Sequence, residues 1–251
     1  LLQILTFIAM EPPVSLDAEN IHYEKIKVLK DLRLITPENV HEKTVRGQYA
    51  KGEIQGQSVV GYREEDGANT TSDTETFVAL RVDIDNWRWA GVPFYMRSGK
   101  RLPAKQSEII IQFKTLPHNI FKESFEELPA NKLRIRLQPD EGVEIEMMNK
   151  VPGIDENIQI QGTKLDLSFS EAFKNSHVFD AYERLLLEAM RGNSTLFISR
   201  EEIEQAWTWI DGMQDSWAAT NSVPDSYASG TWGPQAAEDL LTRDGRAWDT
   251  V

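Results

Sequence analysis

The sequence predicts an α+β fold, a large and mainly antiparallel sheet with helices packed on one face. Three observations predict it. Apolar residues recur at helical spacing near both ends of the chain, and they alternate strictly through its middle. The alternating segments keep one polar face, the mark of antiparallel pairing rather than of doubly buried parallel strands. Helices before and after a run of strands complete the class.

Residues 1–10 carry apolar side chains at 1, 4, 5 and 8, the spacing of one helix face. The stretch is about half of a ~20-residue membrane span and lacks a basic leader and a small-residue cleavage site. It opens without a cap or an initiator Met, so the expectation is that upstream sequence is missing. Pro12-Pro13 ends this helix and Ser15 or Asp17 caps the next. There Ile21, Val28, Leu29 and Leu32 form the apolar stripe, with Lys25, Lys27 and Lys30 between them. A strand is expected over 40–49, then a long exposed loop over 51–75, polar and rich in Gly, Ser and Thr.

From 75 to 169 the period is two. Val78, Leu80, Val82 and Ile84 alternate with Ala79, Arg81 and Asp83, Ile109, Ile111 and Phe113 with Ile110, Gln112 and Lys114, and Leu133, Ile135 and Leu137 with Arg134, Arg136 and Gln138. Beyond a Pro139-Asp140-Glu141-Gly142 turn, Val143, Ile145 and Met147 continue the pattern, and Ile158, Ile160, Leu165 and Leu167 add one or two strands. A helix over 180–191 presents Tyr182, Leu185, Leu186, Ala189 and Met190, with Gly192 as its C-cap. Ser199-Arg200-Glu201-Glu202 is a capping box for a helix that turns Ile203, Ala206, Trp207 and Ile210 inward. The tail from Gln214 reads as looser, with a short helix after Gly233-Pro234.

Composition narrows the function classes. The 251 residues hold 27 Lys+Arg against 40 Asp+Glu, a net charge of −13 that opposes nonspecific binding to nucleic acid or anionic membrane. The chain has no cysteine, which excludes disulfides, thiol nucleophiles and cysteine-held metals. A cytoplasmic protein fits this composition. Four histidines, His22, His41, His118 and His177, lie at least 19 residues apart without a metal-binding spacing, and each reads as a surface or cap residue. Dinucleotide, Walker, nucleophile-elbow and zinc-helix motifs are absent.

Two places carry unusual chemistry. In Arg97-Ser98-Gly99-Lys100-Arg101-Leu102-Pro103-Ala104-Lys105, four cations fall within nine residues of this acidic chain. Lysines on a loop at a strand end suit an anionic or polyhydroxyl ligand; the alternative is a solvated hairpin. Arg134, Arg136 and Gln138 share one strand face, either lining a site or forming a polar surface. The tryptophans at 87, 89, 207, 209 and 217 read as core or interface anchors before sugar-stacking platforms.

Several stretches taken in order resemble the C-terminal domain of the glucose-6-phosphate dehydrogenases, in their bacterial form. They include Glu24-Lys25-Ile26-Lys27-Val28-Leu29-Lys30, Val45-Arg46-Gly47-Gln48-Tyr49, Thr74-Glu75-Thr76-Phe77-Val78-Ala79, Asn86-Trp87-Arg88-Trp89-Ala90-Gly91-Val92-Pro93-Phe94 and Arg97-Ser98-Gly99-Lys100. Arg136-Leu137-Gln138-Pro139-Asp140-Glu141, Asp180-Ala181-Tyr182-Glu183-Arg184-Leu185 and Gly230-Thr231-Trp232-Gly233-Pro234 extend it over nearly the whole chain.

The resemblance implies one C-terminal substrate-binding and dimerisation domain over 1–251. It belongs to an oxidoreductase that oxidises glucose 6-phosphate to 6-phosphogluconolactone with NADP⁺ as hydride acceptor. It places the histidine base, its acidic partner and the NADP-binding Rossmann domain upstream of Leu1, so the chain alone is expected to be inactive. Lys100 matches a substrate-contacting lysine, Lys105 a second basic contact and Gln138 a further substrate-side position. The family's sheet forms a homodimer contact, which is expected here too. Animal members hold a second, structural NADP⁺ with a basic cluster. Arg97 and Arg136 match it, but Gln106, Ile110 and Trp232 stand where further cations belong, so no structural NADP⁺ is expected. A non-catalytic dimerisation or scaffold module is the alternative reading.

Overall fold

Helix α1 (Leu2–Ala9) buries Leu5, Thr6 and Ala9, and α2 (Ala18–Lys30) buries Ile21, Val28 and Leu29, so the apolar spacing in both is a packed face. The Asp17 side chain caps α2 by accepting the Asn20 N–H at 3.0 Å. The computed structural model describes residues 1–120, 128–153, 159–174 and 181–249. Ile158, His177 and Asp180, invoked above, lie outside the described residues.

A single turn of helix, α3 (Val40–Lys43), precedes β1 (Thr44–Ala50), so the strand expected over 40–49 starts at Thr44. The segment expected to be a long loop holds a hairpin, β2 (Gly52–Ile54) and β3 (Gln57–Val59), and a 3-10 turn at Tyr62–Glu64. Gln55 and Gly56, at φ 51° and 78°, supply the left-handed pair that a two-residue hairpin turn needs. Strands β4 (Phe77–Val82) and β5 (Phe94–Gly99) follow. Next come β6 (Ser107–Gln112), β7 (Lys132–Gln138), β8 (Gly142–Lys150) and β9 (Ile160–Ser168), then the one-turn helix α4 (Phe169–Ala172). Helices α5 (Ala181–Arg191) and α6 (Arg200–Ala219), strand β10 (Asp225–Ala228) and α7 (Gln235–Thr242) complete the chain.

The described residues form two units, 1–103 with 181–249, and 104–174. The α+β class and the antiparallel pairing hold, but the expected single sheet is divided. The first unit contains the sheet β10-β1-β4-β5 and the hairpin, and the second contains β6-β7-β8-β9. Between β5 and β6, Arg101 at φ 55° and Pro103 take the backbone out of the ladder. Among the described residues every strand pairing is antiparallel except β1 with β10.

Helices also cover both faces of the first sheet rather than one. Phe77 and Ala79 pack with Leu240 and Leu241 of α7, while Leu80 and Val82 pack with Trp209, Met213 and Trp217 of α6. Strand β4 is apolar at both parities, so neither face can stay in water.

Helix α6 runs through Ala219, past the point where the sequence loosens. Its capping box forms, with Ser199 Oγ accepting the Glu202 N–H and Glu202 accepting the Ser199 N–H, both at 3.2 Å. The buried stripe is Glu202, Trp209, Met213, Ser216 and Trp217, leaving Ile203 and Trp207 exposed. Lys25, expected among polar residues, is buried as well. The stripe of α5 exposes Tyr182, Leu186 and Met190. Among the described residues no helix is long and apolar enough to cross a membrane.

Candidate functional site at the end of strand β5

Phe77 is 1% exposed, and three glycines close around its side chain. A Cβ on Gly99 would stand 2.6 Å from Phe77 Cδ2, one on Gly233 2.5 Å from Cε2, and one on Gly47 3.1 Å from Cβ. Gly233 also sits at φ 112°, open only to glycine. In register, Phe77 lies opposite Gly47 on β1 and Gly99 on β5. Four of the motif stretches read from the sequence therefore meet at one buried ring. This packing is why a glycine precedes Lys100.

The turn leaving β5 is held by its backbone. The Lys100 N–H donates to Thr76 O at 2.8 Å, the Tyr227 hydroxyl donates to Lys100 O at 2.7 Å, and the Gly230 N–H donates to Arg101 O at 2.7 Å. The Arg101 guanidinium pairs with Glu65 at 2.8 Å and lies 5.8 Å from the Tyr49 ring. That bond, with a second from the Tyr49 hydroxyl, holds the Glu65 carboxyl below its ordinary range. Lys100 itself is exposed and forms no ion pair among the described residues.

The remaining cations of this loop have different fates. Arg97 is sandwiched between indoles, its guanidinium carbon 5.0 Å from the Trp232 ring and 4.5 Å from that of Trp248, with Glu238 at 3.9 Å. Lys105, in the second unit, is exposed and without an ion pair among the described residues. It lies two residues before Ser107, whose cross-strand partner is Gln138 at the exposed end of β7. The second unit thus brings Lys105 and Gln138 to one end of its sheet.

Arg134 and Arg136 do not join them in a site. Arg134 bridges Glu108 at 2.5 Å and Glu144 at 3.7 Å, and Lys164 reaches Glu144 at 3.1 Å, a ladder across all four strands. Arg136 bonds Asp166 at 2.7 Å, passing where a Cβ on Gly142 would stand 2.5 Å from its Nη2.

One histidine differs from the sequence reading. His22 does have an acidic partner: its Nδ1 lies 2.5 Å from Glu202 Oε1, and Lys25 Nζ lies 2.5 Å from Oε2 of the same carboxylate. Glu202 is fully buried. Burial works against its charge, but the Lys25 ammonium and the Ser199 donors outweigh it and hold the carboxyl below its ordinary value. The leftover oxygen of a capping-box glutamate was the one local signal of such a cluster. No group of three or more potential metal ligands occurs among the described residues.

A flexible ammonium on a rigidly held turn is suited to oxygen-rich or anionic ligands, to which it offers three donors and a full charge. The comparisons with known proteins identify the family. Residues 1–249 match the family model described as "Glucose-6-phosphate dehydrogenase, C-terminal domain". The chain is 60% identical to the glucose-6-phosphate 1-dehydrogenase of Dickeya dadantii, with all of the chain and 51% of that protein covered. It is 51% identical to that of Rhizobium meliloti, covering 99% of the chain and 50% of the relative. The chain spans about half the length of the curated relatives it matches.

Among solved structures, "Glucose-6-phosphate dehydrogenase in complex with its substrate glucose-6-phosphate" superposes with a TM-score of 0.86 at 32% identity, over 99% of this chain and 49% of that one. The enzyme from Mycobacterium avium gives 0.80 at 34%, over all of this chain and 49% of its own. By family match, sequence identity and fold together, the chain belongs to the glucose-6-phosphate dehydrogenase C-terminal domain family.

Proposed function

We propose that this chain is the C-terminal, substrate-binding half of an enzyme that oxidises glucose 6-phosphate at C1 to 6-phosphogluconolactone. The observation that carries this reading is Lys100: an exposed ammonium without an ion pair among the described residues, on a turn fixed through its backbone, in a chain matched over residues 1–249 by the family. In the proposed enzyme Lys100 and Lys105 offer cationic donors to the sugar phosphate, and Gln138 adds a neutral donor and acceptor. NADP⁺, when bound, accepts the hydride, and the preceding half of the enzyme supplies its site and the base that takes the C1 hydroxyl proton. We assign no residue of this chain to the cofactor. The reading has no second dinucleotide: Gln106, Ile110 and Trp232 stand where further cations would be needed, and Arg97 and Arg136 already have partners in Trp232, Trp248 and Asp166.

The reading includes a cytoplasmic homodimer formed through the sheet. A monomer by light scattering at micromolar concentration overturns that part. The substrate assignment is tested by Lys100→Ala in the full-length enzyme. Loss of a charge-assisted contact of about 1.5–3 kcal/mol raises KM for glucose 6-phosphate by about 10- to 100-fold, with KM for NADP⁺ unmoved. An unchanged sugar-phosphate KM sinks it and favours a scaffold that does not bind the sugar.

A further inference from the structure

We infer that Tyr227 is a positioning residue for Lys100, its buried hydroxyl fixing the carbonyl of the residue whose ammonium meets the substrate. The inference rests on the substrate reading of Lys100 given above.

Tyr227 lies on β10, the parallel edge strand, and its ring is 3% exposed and packs 5.6 Å from Phe77. Packing accounts for the ring, not for the hydroxyl. The hydroxyl has one proton and three oxygen neighbours: Lys100 O at 2.7 Å, Thr76 Oγ1 at 3.2 Å and Thr76 O at 3.4 Å. The shortest contact takes the proton. Thr76 Oγ1 already accepts the Tyr49 N–H at 3.0 Å, so its own proton is free to go to Tyr227 Oη. The result is a directional chain from the Tyr49 amide through the Thr76 and Tyr227 hydroxyls to the Lys100 carbonyl, each bond polarising the next. Burial raises the Tyr227 hydroxyl above the ordinary phenol value, so it stays a donor through the neutral range.

The target of this chain is the part of the turn that would otherwise move. The peptide groups flanking Lys100 Cα are both held, the N–H by Thr76 O and the carbonyl by Tyr227. Next comes Arg101 at φ 55°, a left-handed conformation that a residue with a Cβ adopts only when its surroundings impose it. The Gly230 N–H holds the Arg101 carbonyl from the same segment as Tyr227. Strand β10 and the turn after it therefore grip two successive carbonyls of the Lys100–Arg101 turn. Without the Tyr227 hydroxyl one of these two holds is lost, and the strained Arg101 shifts toward negative φ as far as the Gly230 contact allows, carrying Lys100 with it. Misplacement of a binding group by about 1 Å is enough to cost affinity for the reacting ligand.

The test is Tyr227→Phe in the full-length enzyme, alone and combined with Lys100→Ala. The expected result is a KM for glucose 6-phosphate raised about three- to ten-fold, the size of one neutral hydrogen bond, with KM for NADP⁺ unchanged. In the Lys100→Ala background the same substitution adds nothing, because its effect passes through Lys100. Thr76→Val, which removes the preceding donor, moves the same KM in the same direction by less, and serves where Tyr227→Phe folds poorly. The inference is overturned if Lys100→Ala raises the sugar-phosphate KM while Tyr227→Phe does not, if both KM values rise together, or if the two effects multiply. If Lys100→Ala itself leaves that KM unmoved, the substrate reading fails and the inference falls with it.

Discussion

In the first unit Phe77, Val82 and Ile84 are each 1% exposed and Ala79 is fully buried, with helices on both faces of the sheet. In the second, Gly142 is the one strand residue that is buried among those described, and Leu165 and Leu167 on β9 are more than half exposed. Its rows Ile109–Ile135–Val143–Leu167 and Ile111–Leu133–Ile145–Leu165 face one way, and the ladder Glu108–Arg134–Glu144–Lys164 faces the other. Close packing fixes atoms to within tenths of an ångström, because every void or clash has a cost. A partly solvated charge ladder specifies register but contributes little stability. The contrast explains where the fixed turn lies: Lys100 is held by the unit with a core.

The largest expected difference comes from deleting equivalent apolar side chains in the two units. Phe77→Ala removes a fully buried side chain enclosed by three glycines and costs about 3–5 kcal/mol. Ile135→Ala, on a half-buried strand, costs about 2 kcal/mol or less, below the range for fully buried sites. Urea unfolding followed by circular dichroism measures both. Equal losses would mean that the second unit has as strong a core as the first.

Glu202→Gln sharpens the same contrast through charge. In the first unit this carboxylate is buried with Lys25, which is 3% exposed and lies 4.6 Å from the Phe7 ring. Removing it leaves the ammonium buried and unpaired, a loss of about 3–5 kcal/mol at neutral pH. The loss depends on pH. The carboxyl is held below its reference value of 4.5, so its stabilisation is present above that pH and disappears as pH falls through the lower folded-state value. Wild-type and variant stabilities therefore converge in acid. A constant gap from pH 7 to pH 3 would show that a hydrogen-bond acceptor, not charge, is what Glu202 supplies. Next in size is Gly99→Ala, whose new methyl stands 2.6 Å from Phe77 Cδ2 and costs about 1–3 kcal/mol. Phe77→Leu in the same chain recovers part of it, and strict additivity in a double-mutant cycle would contradict the proposed contact.

Local periodicity carried most of the second unit. Its alternating runs are the four strands, because each pairs with its neighbour in sequence and needs no distant partner. The first unit was legible only in parts. Helices α1 and α2, the Asp17 cap, the Ser199–Glu202 box and α7 all follow from neighbours a few residues apart. Strand β10 does not: four residues pair in parallel with β1 from far along the chain, and nothing local marks them beyond Pro224 before and Gly230 after. The buried Lys25 was hidden for the same reason, since its partner Glu202 comes from α6. Lys100, Lys105 and Gln138 stood out locally as parts of a basic loop and a polar strand face, and took substrate roles only through resemblance to a family. What holds Lys100 in place entered only with the fold, since the grip on its carbonyl comes from Tyr227 on that unpredicted strand.

The smallest expected effect isolates the ladder. Arg134, Glu108 and Glu144 are each 12–16% exposed at the side chain, more shielded than a surface pair and less than a buried one. Glu144 stands between Arg134 and Lys164, so Glu144→Gln removes two attractions at once. For a partly solvated cross-strand pair the loss is about 0.2–1 kcal/mol. Salt decides whether this is electrostatic. The Debye length falls from about 10 Å at 0.1 M to about 3 Å at 1 M, so the difference between wild type and Glu144→Gln shrinks over that range, while the Phe77→Ala difference does not. A Glu144→Gln loss that survives 1 M salt would place the ladder's contribution in hydrogen-bond geometry, and with it the register of the sheet that brings Gln138 and Lys105 to one end.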